Sequence, residues 1–345
     1  MFKYSHLASK ISAMKGKMLK QTDYEILVYQ KTVRDAAIYL KNQTYYMDLL
    51  KDLDENNVHR GYLEILLNQS LVNDELKIAR YLKGNEKKTY RYVYRKQEIE
   101  DIKKMLRFLQ MGKSVKNIDK NLFFISKYSV IDFDKLFKVN NIEELVDGLK
   151  GTNFYNILKP LIIDENRIDL FAAEMALDMY YYKKTDKQLV AGIRGKNKKI
   201  LKKLLGIEVD MKNILWIYRS KRYYKTPKEL IYRYIIPYQY KLSKKELSKM
   251  IEVKTTQEFL DLLRDTKYSF DVGKEKIKKE KTFLEVQLSH YKKYMKDNPF
   301  SMAPISVYIF MKEIEISNIT TIIEGIRYQV EPNEIKQLVI GIQGW

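Results

Sequence analysis

The chain has 345 residues, 45% of them hydrophobic, a formal net charge of +20 and no cysteine. The absence of cysteine excludes disulfide stapling, thiolate chemistry and cysteine-based zinc sites. The charge predicts attraction to polyanions, whether nucleic acid, anionic lipid or an acidic protein surface, and does not choose among them.

The first residues, MFKYSHLASKISAMKGKML, lack the apolar core of a signal peptide. Only 13 Gly and 6 Pro interrupt a chain rich in helix formers, so helices are expected throughout. Ser/Thr-x-x-Glu/Gln starts are read at Thr22–Glu25, Thr185–Gln188, Thr226–Glu229, Ser243–Glu246 and Thr255–Glu258. Pro227 is expected at the first helical position after Thr226. Breaks are expected near Asn117–Ser129 and Ile235–Ser243, and no run of alternating strands stands out. The longest apolar runs, near Leu170–Met179 and Pro304–Met311, are too short to cross a bilayer. The three histidines, His6, His59 and His290, are too scattered to suggest a metal site.

Two short signatures recur three times in the same order. The first is Leu, a basic residue, a spacer, Thr, any residue and an aromatic. It is found at Leu40 to Thr44 and Tyr46, Leu149 to Thr152 and Phe154, and Leu263 to Thr266 and Tyr268, with a one-residue longer spacer in the first copy. The second is an acid, Asp or Asn three residues later, then Ile. It runs Glu98-Asp101-Ile102, Asp210-Asn213-Ile214 and Glu315-Asn318-Ile319. Ordered repetition at roughly domain spacing predicts an all-α protein of three homologous helical modules, residues 1–120, 121–240 and 241–345. Thr44, Thr152, Thr266, Glu98, Asp210 and Glu315 are the repeat positions, read as packing and capping residues. Ile214, Ile217 and Tyr218 fall on one helix face, as do Ile319, Ile322 and Ile323.

Catalytic signatures are missing. There is no G-x-x-x-x-G-K-[ST], G-x-G-x-x-G, H-E-x-x-H or G-x-S-x-G, and Gly192-Ile-Arg-Gly195-Lys196 reads as a loop. No catalytic residue, cofactor site or metal site is expected. Tyr90-Arg-Tyr-Val-Tyr-Arg-Lys96 and Arg219-Ser-Lys-Arg-Tyr-Tyr-Lys225 mix rings and cations. Each suits a helix face with buried rings, a protein interface, or single-stranded nucleic acid.

The run Asn298-Pro-Phe-Ser-Met-Ala-Pro304 through Tyr308, Lys312-Glu313 and Glu315-Ile-Ser-Asn318-Ile319 resembles the closing signature of the C subunit of V-type and archaeal-type ATPases. That family includes the d subunit of the eukaryotic V-ATPase. The opening Tyr4, Ala8, Ile11, Ala13 and Met14, and the stretch Glu208-Val-Asp210-Met-Lys-Asn213-Ile214 with Arg219-Ser-Lys221, look like its first helix and middle signature. The resemblance implies three helical domains in a pseudo-threefold funnel, peripheral on the cytoplasmic face of the membrane. It implies a socket that receives the D and F shaft subunits and rests on the proteolipid ring. A protein of this kind passes torque, catalyses nothing, and takes neither cofactor nor nucleic acid. A basic helical repeat protein that binds nucleic acid is the alternative.

Matching positions in the repeats also differ in charge. Arg107 and Arg219 correspond to Glu324, and Lys221 corresponds to Ile326. Arg107, Arg219 and Lys221 are therefore expected to dock a partner asymmetrically.

Overall fold

The computed structural model describes residues 4–54, 58, 60–117, 129–268, 270 and 279–341. His59 and most of the expected break after Asn117 lie outside them. The described part is helical, with one short antiparallel pair of strands.

The chain begins with α1 (Ser5–Gly16), α2 (Gln21–Val28), α3 (Val33–Gln43), α4 (Met47–Leu50) and α5 (Arg60–Ala79). Next come α6 (Gly84–Gln110), α7 (Phe133–Leu136), α8 (Ile142–Gly148), α9 (Asn153–Leu158), strands β1 (Ile162–Asp164) and β2 (Arg167–Ile168), and α10 (Leu170–Gly192). The remainder is α11 (Gly195–Arg219), α12 (Lys228–Tyr234), α13 (Lys244–Glu252), α14 (Thr256–Arg264), α15 (Lys279–Asp297), α16 (Ala303–Arg327) and α17 (Pro332–Leu338). Two compact units emerge: Leu82–Arg194, and Met1–Tyr81 together with Gly195–Trp345.

Some helix starts follow the expected chemistry and some do not. Ser243 accepts the Glu246 N–H at 3.2 Å while the Glu246 carboxylate accepts the Ser243 N–H at 2.7 Å, a complete capping box. Thr255 and Glu258 form a second. Thr22 is instead inside α2, whose start is held by the Asp23 carboxylate accepting the Lys20 N–H at 2.6 Å. Thr185 is buried in the interior of α10, because the same i, i+3 spacing also places two residues on one helix face. Thr226 makes no cap, and Pro227 precedes the first residue of α12 instead of occupying it. The glycine-basic stretch is a two-residue connection, Ile193 and Arg194, between α10 and α11.

In the Leu82–Arg194 unit, α6 packs along α10. Tyr90, Val93, Tyr94, Ile102, Met105, Leu106 and Leu109 of α6 are buried at helical spacing, with Ala172, Ala173, Leu177, Tyr181 and Leu189 of α10. The close approach depends on Gly192. A β-carbon there would lie 1.9 Å from Thr89 Oγ1. Gly192→Ala is expected to cost about 1–3 kcal/mol through overpacking, read as a lowered urea midpoint.

In the other unit α16 is the central helix. Ile305, Val307, Ile309, Ile314, Ile316, Ile319, Ile322 and Ile326 bury it on nearly every side. It packs against α1, α2, α3, α5, α11, α15 and α17. A helix apolar all round belongs inside a protein core. Its buried polar residues, Lys312, Glu315 and Asn318, are spaced three apart and so share one face. Among the described residues no helix is long and apolar enough to cross a membrane.

Candidate functional site

The three threonines make the same local structure. Thr44 Oγ1 donates to the Leu40 carbonyl at 2.6 Å and accepts the Tyr46 N–H at 3.2 Å. Thr152 donates to Leu149 at 2.7 Å and accepts from Phe154 at 3.2 Å. Thr266 donates to Leu263 at 2.7 Å and accepts from Tyr268 at 3.4 Å. Each hydroxyl thus ends one helix and turns the chain, which is what Thr does well at a turn. The longer spacer of the first copy is absorbed as a bond to the fourth residue back instead of the third.

The acids complete the arrangement: two of them bond the tyrosine after the threonine that follows them in the repeat order, and the third lines a cavity beside the next threonine turn. Asp210 Oδ2 accepts the Tyr268 hydroxyl at 2.7 Å and the backbone N–H groups of Lys241 and Leu242 at 2.9 and 3.3 Å. Glu315 accepts the Tyr46 hydroxyl at 2.9 Å, the Tyr45 hydroxyl, and the Leu19 N–H at 2.7 Å. Glu98 accepts the Val130 N–H at 2.7 Å and the Ser129 hydroxyl at 2.8 Å, and lines a cavity with Thr152 and Phe154. The last acid of the chain therefore bonds the tyrosines of the first threonine turn. A buried carboxylate that accepts several N–H and O–H groups ties chain segments far apart in sequence to one point on a long helix.

The Asn of the second signature is a further tie. Asn213 donates to the Ile236 carbonyl at 3.1 Å and accepts its N–H at 3.0 Å. Asn318 does the same with Ile340 at 3.0 and 2.8 Å. One side-chain amide satisfies both backbone groups of a passing residue, which explains why both copies carry Asn. In the first copy the position is Asp101, ion-paired to Lys104 at 3.0 Å.

Burial dominates the electrostatics of these sites. It raises the Asp210 carboxyl from its ordinary value to about 6 against the opposing pull of its donors. The Glu98 carboxyl is raised for the same reason, opposed by the hydrogen bonds from Val130 and Ser129. Burial lowers the Lys312 ammonium, although Glu315 lies 3.1 Å away and favours its charge. Lys312 was legible only as part of the C-terminal run. The structure shows it fully buried, with its Nζ 4.5 and 4.4 Å from the ring centroids of Tyr45 and Tyr46.

The three expected docking cations are all engaged within the chain. Arg107 pairs with Glu174 at 2.6 Å, joining α6 to α10. Arg219 holds Glu280 of α15 by two hydrogen bonds of 3.0 and 2.7 Å. Lys221 donates to the Ile251 carbonyl at 2.7 Å and to that of Val253. At the position of reversed charge, Glu324 pairs with Arg60 of α5. The reversal on the long helix is thus matched by a reversal on its neighbour, a compensation that the repeat alignment alone could not show.

A family model described as ATP synthase (C/AC39) subunit matches residues 7–338. Among curated proteins, the C subunit of the A-type ATP synthase of Methanocaldococcus jannaschii is 24% identical over 98% of this chain and 86% of its own length. That of Methanosarcina acetivorans is 25% identical over 98% and 93%, and that of Archaeoglobus fulgidus 24% over 98% and 96%. The chain belongs to the ATP synthase (C/AC39) subunit family.

Proposed function

We propose that this chain is a non-catalytic central-stalk component of a rotary ATPase, a socket that joins the D and F shaft subunits to the proteolipid ring. The family match over residues 7–338 carries the proposal. The chemistry of the buried acids supports it. Glu98, Asp210 and Glu315 are occupied with backbone N–H and hydroxyl groups, which stiffens junctions between helices. A part that passes torque needs such stiffness. The high positive charge suits a peripheral position at the cytoplasmic face, near anionic headgroups. We propose no cofactor or nucleic acid for it. The Tyr90–Lys96 stretch weighs against nucleic acid, because Tyr90, Val93 and Tyr94 are buried.

The three-module, funnel-like organisation is part of the same proposal, with a shifted frame. The bonds from Tyr268 to Asp210 and from Tyr46 to Glu315 favour modules that open on the long acid-bearing helices. One would be Leu82–Arg194, one would run from α11 through α15, and one would combine α16 and α17 with α1 to α5. These frames replace divisions at residues 120 and 240.

The test is reconstitution with and without the chain. A complex lacking it is expected to hydrolyse ATP without driving ion movement, whereas full coupling in its absence would overturn the proposal. Docking by Arg107 and Arg219 is tested by exchanging charges within their pairs, Arg107→Glu with Glu174→Arg and Arg219→Glu with Glu280→Arg, alongside Lys221→Gln. The exchange keeps the intramolecular pairs while moving the cations. Assembly with shaft and ring is expected to weaken at low salt. Unchanged assembly would remove these residues from the interface.

A further inference from the structure

The three acid sites differ in the aromatic residue that follows the threonine. Two of the aromatic residues following the threonines are tyrosines, and their hydroxyls bond the acids, Tyr268 to Asp210 at 2.7 Å and Tyr46 to Glu315 at 2.9 Å. The third is Phe154, which has no hydroxyl to offer Glu98. Beside it lies a cavity of about 310 Å3.

The cavity is lined from two helices. Arg91, Arg95 and Glu98 are spaced four and three apart along α6, and Tyr180, Lys184 and Gln188 four apart along α10, so each set forms one helical stripe. Arg95 is already held across the space. It donates to Gln188 Oε1 at 2.8 Å, and its guanidinium carbon is 6.0 Å from the centre of the Tyr180 ring. Glu98, the carboxylate among these residues, is taken up by Ser129 and Val130. Two guanidinium groups and an ammonium around a small cavity match the charge and the fork geometry of a tetrahedral oxyanion. The volume is at the small end of ligand pockets, about 300–1,000 Å3, which favours a compact anion over a nucleotide.

We propose that this cavity binds orthophosphate or the phosphate group of a small phosphomonoester, held by Arg91, Arg95 and Lys184. The site belongs to the Leu82–Arg194 unit alone, and does not depend on how the chain assembles with partners.

The test is calorimetric titration of the full chain with sodium orthophosphate, with glycerol 2-phosphate, and with sodium chloride at matched ionic strength. Saturable binding of a phosphate compound at one site is expected, with chloride giving none. Tighter orthophosphate binding assigns the site to the free ion, and tighter glycerol 2-phosphate binding assigns it to an ester. The double variant Arg91→Gln, Lys184→Gln is expected to weaken binding at least tenfold. Phe154→Tyr, which installs the hydroxyl found at the other two sites, is expected to weaken it as much without lowering the urea midpoint. Phosphate heats equal to those of chloride would overturn the proposal. So would wild-type affinity in both variants.

Discussion

Glu315→Ala is expected to lower stability by about 3–5 kcal/mol, the cost of leaving a buried charge without its partner. Lys312 is fully buried and, among the described residues, would keep the hydroxyls and rings of Tyr45 and Tyr46 around its ammonium. The same change leaves the Leu19 N–H and two tyrosine hydroxyls without their acceptor. Lys312→Met is expected to cost less, about 1–3 kcal/mol, because the carboxylate retains those three donors. Urea unfolding of the two variants measures the difference. Equal losses would show that the ion pair outweighs the donor set. A loss under about 1 kcal/mol for Glu315→Ala would mean that this acid does not hold α16 to the segments around Leu19 and Tyr46.

The second large effect is in pH. The Asp210 carboxyl titrates near 6 when folded, against an ordinary 3.8. Its pKa is raised, so the folded state holds the proton more tightly than the unfolded state does. The associated stability is present below about pH 4 and is lost as pH rises through 6. A shift of about two units corresponds to about 3 kcal/mol. Asp210→Asn cannot titrate. The stability of wild type minus that of the variant is therefore expected to fall by about 2–3 kcal/mol between pH 4 and pH 7. The shift of Glu98 is common to both proteins and cancels in the difference. The cause is visible at Asp210 Oδ1, which is buried without a hydrogen-bond partner among the described residues, while Oδ2 accepts three donors. A flat difference across this range would mean that the carboxylate is better solvated than its surroundings imply.

Much of the local chemistry is readable from residue order because it depends on neighbours in sequence. Helix content follows from composition and few breakers, and the Ser243 and Thr255 capping boxes follow from a three-residue spacing. The turns at Thr44, Thr152 and Thr266 join a hydroxyl to groups within four residues, so a repeated signature suffices to point to them. The family resemblance drawn from the run between Asn298 and Ile319 agrees with the match over residues 7–338. The same local spacing also misleads, at Thr22 and Thr185, where a capping pattern occurs within a helix and the chain before it decides which reading applies.

Helical content, the threefold recurrence of two signatures and membership of the family all follow from the order of residues alone. Which acid meets which threonine turn follows only from packing in three dimensions. Glu315 reaches Tyr46 across 269 positions of chain, and Asp210 reaches Tyr268 across 58. Packing also sets Glu324 against Arg60, so that a reversed charge in the repeat is balanced across two helices. Local spacing constrains groups within a few residues of one another. A carboxylate buried away from water must find donors wherever packing brings them, and that partner is set by the fold of the whole chain.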